Sequence, residues 1–550
     1  MNRENLILQR FPANNLDEKD KAKENPAIRL YGKRYYKDQT PVEYLAEFLL
    51  VFASPKKKEM LEKDHVISHG EFQFYIDKNK PAYYPEDKVA LKLFSFFSNS
   101  KLETRHPAHR QAYMGSLKIL AEKIDGDANN KKETIQLLQS LLNGFVGVSS
   151  NRTWVTQCFL PASTSLLSRE IDWLHSGKSG AKDKDLDWVY NDKLGCNPEK
   201  QSDDDGVMNY FVHDRHNFMA RGGESLFLQL VNLFDNIQSE DIKIFSEIPS
   251  YYHLKAFIGN IKKDVEDGLS ALLTSGSGSL NNAIDFVSSA LHGYDINPNH
   301  ATLGWIPASS KIEALLFAME VRNLCASNLG NLEKLDLLQT LCCMQVLRSH
   351  CFQANRLDEC ELPTHGFVGN YVWIAVNENA PPTDSLRKMA HESFKKIDNI
   401  LYRVLRHEML PKPVSRSNKD AYSEANKHGY DIFKKLAKDL GLVIPRQGQG
   451  TRFVLHQGLL RFLVAALIRP GERIRLTHFY QRIFAHYGIA ISGDQLKVAL
   501  QWIGKEADGD TYAVASSSTW VEEALKQGGF LVELSDAVSM VMNPGEEQTI

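Results

Sequence analysis

The chain has 550 residues, 43% of them hydrophobic and 24% charged, with a formal net charge of −3. This ordinary globular balance excludes a fibrous or wholly disordered chain and predicts about three or four domains, because single cores stop growing near about 250–300 residues. The best apolar run, Leu459–Ile468, has ten residues and includes Arg461, against about 20 for a bilayer crossing, so no membrane contact is expected.

The start, MNRENLILQRF, lacks the long apolar stretch of a leader. Seven cysteines, sparse and odd in number, argue for a reducing cytoplasm and against a disulfide framework. Residues 13–27 are polar and read as a surface segment. At Thr40-Pro41-Val42-Glu43 a capping box opens a helix over Val42–Phe52 that is apolar on most faces and therefore expected to be buried. Lys56-Lys57-Lys58 reads as a solvated loop. Phe72, Phe74 and Ile76 alternate as in a strand over 71–77.

Helical spacing returns over 88–147, through Leu117, Leu120 and Ile124, then Ile135, Leu138, Leu141 and Leu142. Residues 152–160 alternate like a strand. A long polar insertion follows at 176–206. At its start, His175–Ser179 has a superficial likeness to a phosphate loop, but Asp172 stands where the first glycine is required. No P-loop chemistry is expected. The Ser/Gly-rich run 274–282 reads as a linker.

Ser310-Lys311-Ile312-Glu313 is a second capping box, opening a helix with Leu315, Leu316 and Met319. Cys325, Cys342, Cys343, Cys351 and Cys360 cluster with His350 and His365, but no Cys-x2–4-Cys knuckle is present. Cysteines packed as small apolar side chains beside Leu337, Leu338, Leu341, Met344 and Leu347 are the expected outcome, and no metal or other cofactor is predicted. Val372–Val376 reads as a strand. Residues 384–410 carry an amphipathic stripe of Leu386, Met389, Phe394, Ile397, Leu401, Val404 and Leu405, with Lys388, Lys395, Arg403 and Arg406 opposite.

After a basic linker at 411–420, a Lys-rich helix is expected over 421–441, then an apolar helix over 455–468 ended by Pro470-Gly471. Arg473–Leu476 alternates as a short strand. Helices from Thr477, Ser492 and Ser517/Ser518 follow, and the apolar runs Phe530–Leu534 and Ala537–Met542 form a hairpin signal. This order of helices, short strand and hairpin is that of a winged helix (a helix-turn-helix plus β-hairpin), a fold that by itself proves no function. The expected architecture is mainly α and multidomain, with a few short strands. Its regions are 1–150, mostly helical; 151–275, mixed α/β; 280–410, helical; and 421–550, the winged-helix-like module.

The near-zero net charge conceals an imbalance. Residues 385–482 hold 20 Lys/Arg against 8 Asp/Glu, whereas 483–550 hold 3 against 10. A basic block joined to such a fold is the electrostatic footprint of nucleic-acid contact, with DNA the first expectation. The helix before the hairpin carries Glu522 and Glu523 and would repel phosphate. The contact is therefore assigned to Lys427, Lys434, Lys435, Lys438, Arg446, Arg452, Arg461, Arg469, Arg473, Arg475 and Arg482.

One catalytic constellation competes. His213 and His216 can share a helix face, with Asp214, Arg215, Arg221 and Glu224 nearby, a set suited to a metal-dependent nuclease or phosphodiesterase. No HExxH or other metal signature accompanies it, and Gly222-Gly223-Glu224 is equally a turn that opens a helix. The preferred expectation is a non-catalytic nucleic-acid-binding or scaffold subunit of a larger bacterial complex, such as a restriction or phage-defence system, with other protein subunits as partners. A pure protein-docking scaffold is the third reading.

Overall fold

The structure is a computed structural model that describes residues 7–13, 25–32, 35, 39–57, 70–73, 81–86, 88–96, 107–147, 158–168, 172–173, 211–212, 222–274, 278–291, 301–358, 367–413, 422–504, 518–535 and 538–544. It is mostly helical, with short strands. Two compact units form, each from separate stretches of sequence. The larger comprises 1–37, 224–269 and 304–550, and the smaller comprises 38–223 and 270–303.

In the smaller unit the helix Pro41–Ala53 starts as its sequence dictates. The Glu43 carboxylate accepts from the Thr40 amide at 2.6 Å and from its hydroxyl at 2.9 Å, and Pro41 occupies a position that needs no amide partner. Lys56 departs from the solvated loop expected of it. It is buried, and its ammonium donates to the carbonyls of Val51 (2.6 Å), Phe52 (3.2 Å) and Ser54 (2.6 Å), closing the end of that helix where a cation is favoured. Burial lowers its pKa to about 7, with Glu71 opposing the fall.

The helices Val89–Phe96, Pro107–Lys123, Ala128–Asn143 and Gly278–Leu291 pack together through Leu91, Leu120, Leu142 and Ile284. The linker expected at 274–282 is therefore overturned over 278–282. Those residues are helical because Ile284, Val287 and Leu291 lie at helical spacing with a core to enter. Of the strand expected at 71–77, residues 71–73 are not in a strand and the others lie outside the described residues. Of 152–160, Phe159 makes an isolated antiparallel bridge to Val146, while 152–157 lie outside, as does the insertion at 176–206. Gly222 and Gly223 open a helix that runs to Asp235, and their amides donate to Gln39 (3.3 Å) and Glu47 (2.8 Å). A β-carbon at either would run into Tyr44, so close approach explains the pair.

The larger unit is built around α1 (Lys311–Ala326) and α2 (Asn331–Asp358), which pack on each other. Leu337, Leu338, Leu341, Met344 and Leu347 are buried, with Cys342, Cys343 and Cys351 between them, and burial drives all three thiols well up. The helix α1 begins where expected, but Ser310 makes no capping bond. Glu313 turns instead to Arg356 at 2.5 Å.

The expected strand over 372–376 is present as β1 (Trp373–Ile374) and β2 (Val376–Asn377). The amphipathic helix, α3 (Ser385–Val404), is capped by Asp384 and buries Leu386, Phe394, Ile397, Leu401 and Val404. The Lys-rich segment is not one helix. It divides into Ser423–Lys427 and α4 (Tyr430–Asp439), because the buried His428 is tied to the Tyr35 carbonyl at 2.7 Å and Gly429 sits against Tyr31 and Ala27.

Next come β3 (Val443–Ile444) and β4 (Arg452–Leu455). β4 is the middle strand of a three-stranded sheet, antiparallel to β3 and parallel to β2. The C-terminal stretch runs α5 (Gln457–Leu467), β5 (Arg473–Arg475), α6 (Leu476–Tyr487), β6 (Ile489–Ala490), α7 (Gly493–Trp502), α8 (Thr519–Gln527), β7 (Leu531–Ser535) and β8 (Val538–Met542). β6 pairs in parallel with β1, and β5, β8 and β7 form an antiparallel sheet in that order. α6 packs on β5 and β8, and α8 packs on α5 and β7. No helix among the described residues is long and apolar enough to cross a membrane.

Candidate nucleic-acid interface and a buried ionic network

Several cations of the basic block assigned to the contact have carboxylate partners. Lys427 pairs with Glu424 at 2.5 Å, Lys434 with Asp398 at 3.0 Å and Lys435 with Asp439 at 2.7 Å. Burial opposes the charge on Lys434, but the Tyr430 hydroxyl and Asp398 outweigh it and raise its pKa. Arg461 pairs with Glu333. Arg469 (3.6 Å) and Arg482 (2.6 Å) share Glu472, and Arg482 also donates to the Leu467 carbonyl at 3.0 Å. Burial disfavours the Glu472 charge, yet Arg482 and Arg469 outweigh it and lower its pKa. The more exposed of these pairs, such as Lys427–Glu424, contribute only about 0–1 kcal/mol to stability. Their larger effect is to cancel the positive field that phosphates would meet.

Five of the eleven cations assigned to the contact remain, Lys438, Arg446, Arg452, Arg473 and Arg475. Lys438 donates to the Arg446 carbonyl at 3.1 Å, and the Arg446 side chain is exposed. Arg452 is only 6% exposed, so it belongs to the interior of the sheet rather than to an open face. Arg473 and Arg475 are exposed on β5 on either side of the buried Ile474. Strand alternation makes this a direct consequence of the sequence Arg-Ile-Arg. Across the ladder they face Met542 and Met540, and Arg473 reaches the Met542 sulfur at 3.2 Å. Among the described residues no carboxylate pairs with either. The α8 helix presents Glu523 to solvent and Glu522 partly so.

Of the competing catalytic set, His213, Asp214, Arg215, His216 and Arg221 lie outside the described residues. Glu224 is buried at the start of its helix and accepts from the Gly304 amide. No group of three metal-ligating side chains occurs among the described residues.

A second constellation, which the sequence reading missed, lies within the larger unit. Arg348 (α2) and Glu320 (α1) are both fully buried and meet through two parallel bonds of 2.8 Å. The Gln345 carbonyl oxygen accepts twice more from Arg348, at 2.7 and 2.5 Å, and the His486 carbonyl accepts at 3.2 Å. His486 (α6) holds Glu320 through Nδ1 at 2.7 Å, and its Nε2 lies 3.0 Å from Nε2 of His253. Tyr487 supplies a ring 4.7 Å from the Arg348 guanidinium.

The electrostatics follow from this geometry. Burial would raise Glu320, but Arg348 and His486 outweigh it and hold the carboxylate below its ordinary range. Burial likewise opposes Arg348, but Glu320 raises it further. Burial lowers His486 against the pull of Glu320. It lowers His253 to about 2, with the neighbouring His486 adding to the fall. The sequence does carry a signal for this network: Glu320 follows the apolar run Ala314–Met319, and Arg348 follows Val346-Leu347. The network joins α1, α2 and α6 and is enclosed, which suits a structural tie rather than a reaction centre.

Comparison with protein-family models, with curated proteins and with solved structures finds no match.

Proposed function

We propose that this protein contacts nucleic acid through its C-terminal segment 457–542, read as a winged-helix-like module, and that it binds rather than catalyses. The order α5, β5, α6, α7, α8, β7, β8, with the sheet order β5-β8-β7, supports the module. The observation that carries the binding reading is the exposed pair Arg473 and Arg475 on β5, without a carboxylate partner among the described residues. Guanidinium groups in that setting can hold successive phosphates. The acidic face of α8 favours a protein neighbour on its side, which is the second reading and would make the module a docking element.

Binding of duplex DNA, single-stranded DNA and RNA should be measured by fluorescence anisotropy across a salt series. Affinity is expected to fall with salt, and replacing Arg473 and Arg475 with alanine should lower the slope of log K against log salt by about 2, since each lost phosphate contact removes about 0.9. Arg461→Ala should leave the slope almost unchanged, because Glu333 already neutralises that cation. No binding at low salt would overturn the nucleic-acid reading and leave the docking element.

A further inference from the structure

We propose that Arg387 and Arg452 form a site for a phosphoryl oxyanion where the start of α3 meets β4. This does not depend on the role given to Arg473 and Arg475. Arg452 is 6% exposed, and its Nε is sealed from solvent with no acceptor. Its Nη2 reaches the Glu378 carbonyl at only 3.4 Å. Arg387 Nη1 donates to the Ala380 carbonyl, two residues further along the same loop, at 3.0 Å. Both guanidinium groups therefore converge on one short loop. Burial and then the nearby Arg387 charge push Arg452 below the ordinary arginine range.

His391 lies one helical turn beyond Arg387 and meets the Thr451 carbonyl at 2.6 Å, immediately before Arg452. Three other shielded arginines of this unit have acidic partners: Arg348 with Glu320, Arg356 with Glu313 and Arg482 with Glu472. Among the described residues no carboxylate pairs with Arg387 or Arg452. Two adjacent cations, one nearly buried, repel each other and leave donor capacity unused. A tetrahedral oxyanion held at the open edges of the two guanidinium groups offsets their repulsion, because a guanidinium edge matches two of its oxygens. The shared chemistry is a phosphoryl group, carried by a nucleic-acid diester or by a free phosphorylated compound.

The test is the thermal midpoint of the full chain in inorganic phosphate against chloride at matched ionic strength, with phosphate affinity measured by calorimetry. Phosphate should stabilise the intact protein in a saturable manner, and Arg387→Met and Arg452→Met should each weaken its affinity at least tenfold. Arg387 is half-buried and makes one carbonyl bond, so Arg387→Met decides the matter if Arg452→Met does not fold. Weaker duplex binding by Arg387→Met would assign the site to a diester, and unchanged duplex binding would assign it to a free phosphorylated compound. Stabilisation no greater than that by chloride, or one that survives Arg387→Met, would overturn the site.

Discussion

Replacing Arg348 with methionine is expected to cost the larger unit about 3–5 kcal/mol, the usual result of removing one partner from a buried ion pair. The side chain is fully buried, satisfies both oxygens of Glu320 and also ties down Gln345 and the His486 carbonyl. Its loss leaves the Glu320 carboxylate in the core with only His486 to hold it. The charge itself accounts for most of that cost. The double substitution Glu320→Gln with Arg348→Met should therefore be less destabilising than Arg348→Met alone, since no orphaned charge remains. Urea unfolding of the single and double variants measures this. A cost below about 1 kcal/mol for Arg348→Met would mean that the pair is not held as a buried ion pair.

Acid should destabilise the larger unit steeply. His253 is lowered to about 2 and His350 to about 4, both chiefly by burial, and His486 is lowered by the same cause. All three are thus neutral in the fold at pH 7, whereas in the unfolded chain each takes a proton as pH falls through about 6.5. The unfolded state then binds more protons, so stability is full above about pH 6.5 and declines below it, by up to about 1.4 kcal/mol per pH unit for each histidine. The contribution of His350 to the slope ends near its folded value of about 4, while His253 continues toward its own. Urea midpoints from pH 7.5 to 4.5 test this. His253→Gln should flatten the slope by close to one proton. A midpoint independent of pH over that range would show that these histidines accept protons in the fold.

Much of the C-terminal element order was legible because local rules govern it. The hairpin signal at Phe530–Met542, the Arg-Ile-Arg alternation and the stripe of α3 each express a period that its own residues set. The division at His428-Gly429 was not legible, because it depends on the Tyr35 carbonyl, almost 400 residues away in sequence. The capping box at Ser310 shows the same limit. The motif is correct in spelling, but Arg356 offers Glu313 a better partner than the helix amide does.

The candidate sites divide along the same line. By itself the sequence determined the mostly helical character, the positions of many elements and the concentration of basic residues at 385–482, since these are properties of spacing and composition. Only the tertiary structure decided which charges remain open. Glu333, Asp398, Asp439 and Glu472 pair with five of the cations assigned to the contact, while Arg452, read from sequence as surface, is carried into the interior. It also gathered two compact units from interleaved stretches and brought Glu320, Arg348 and His486 to one point. Charge along a chain is counted residue by residue, but its field and its pKa depend on burial and on partners distant in sequence, and folding alone sets those distances.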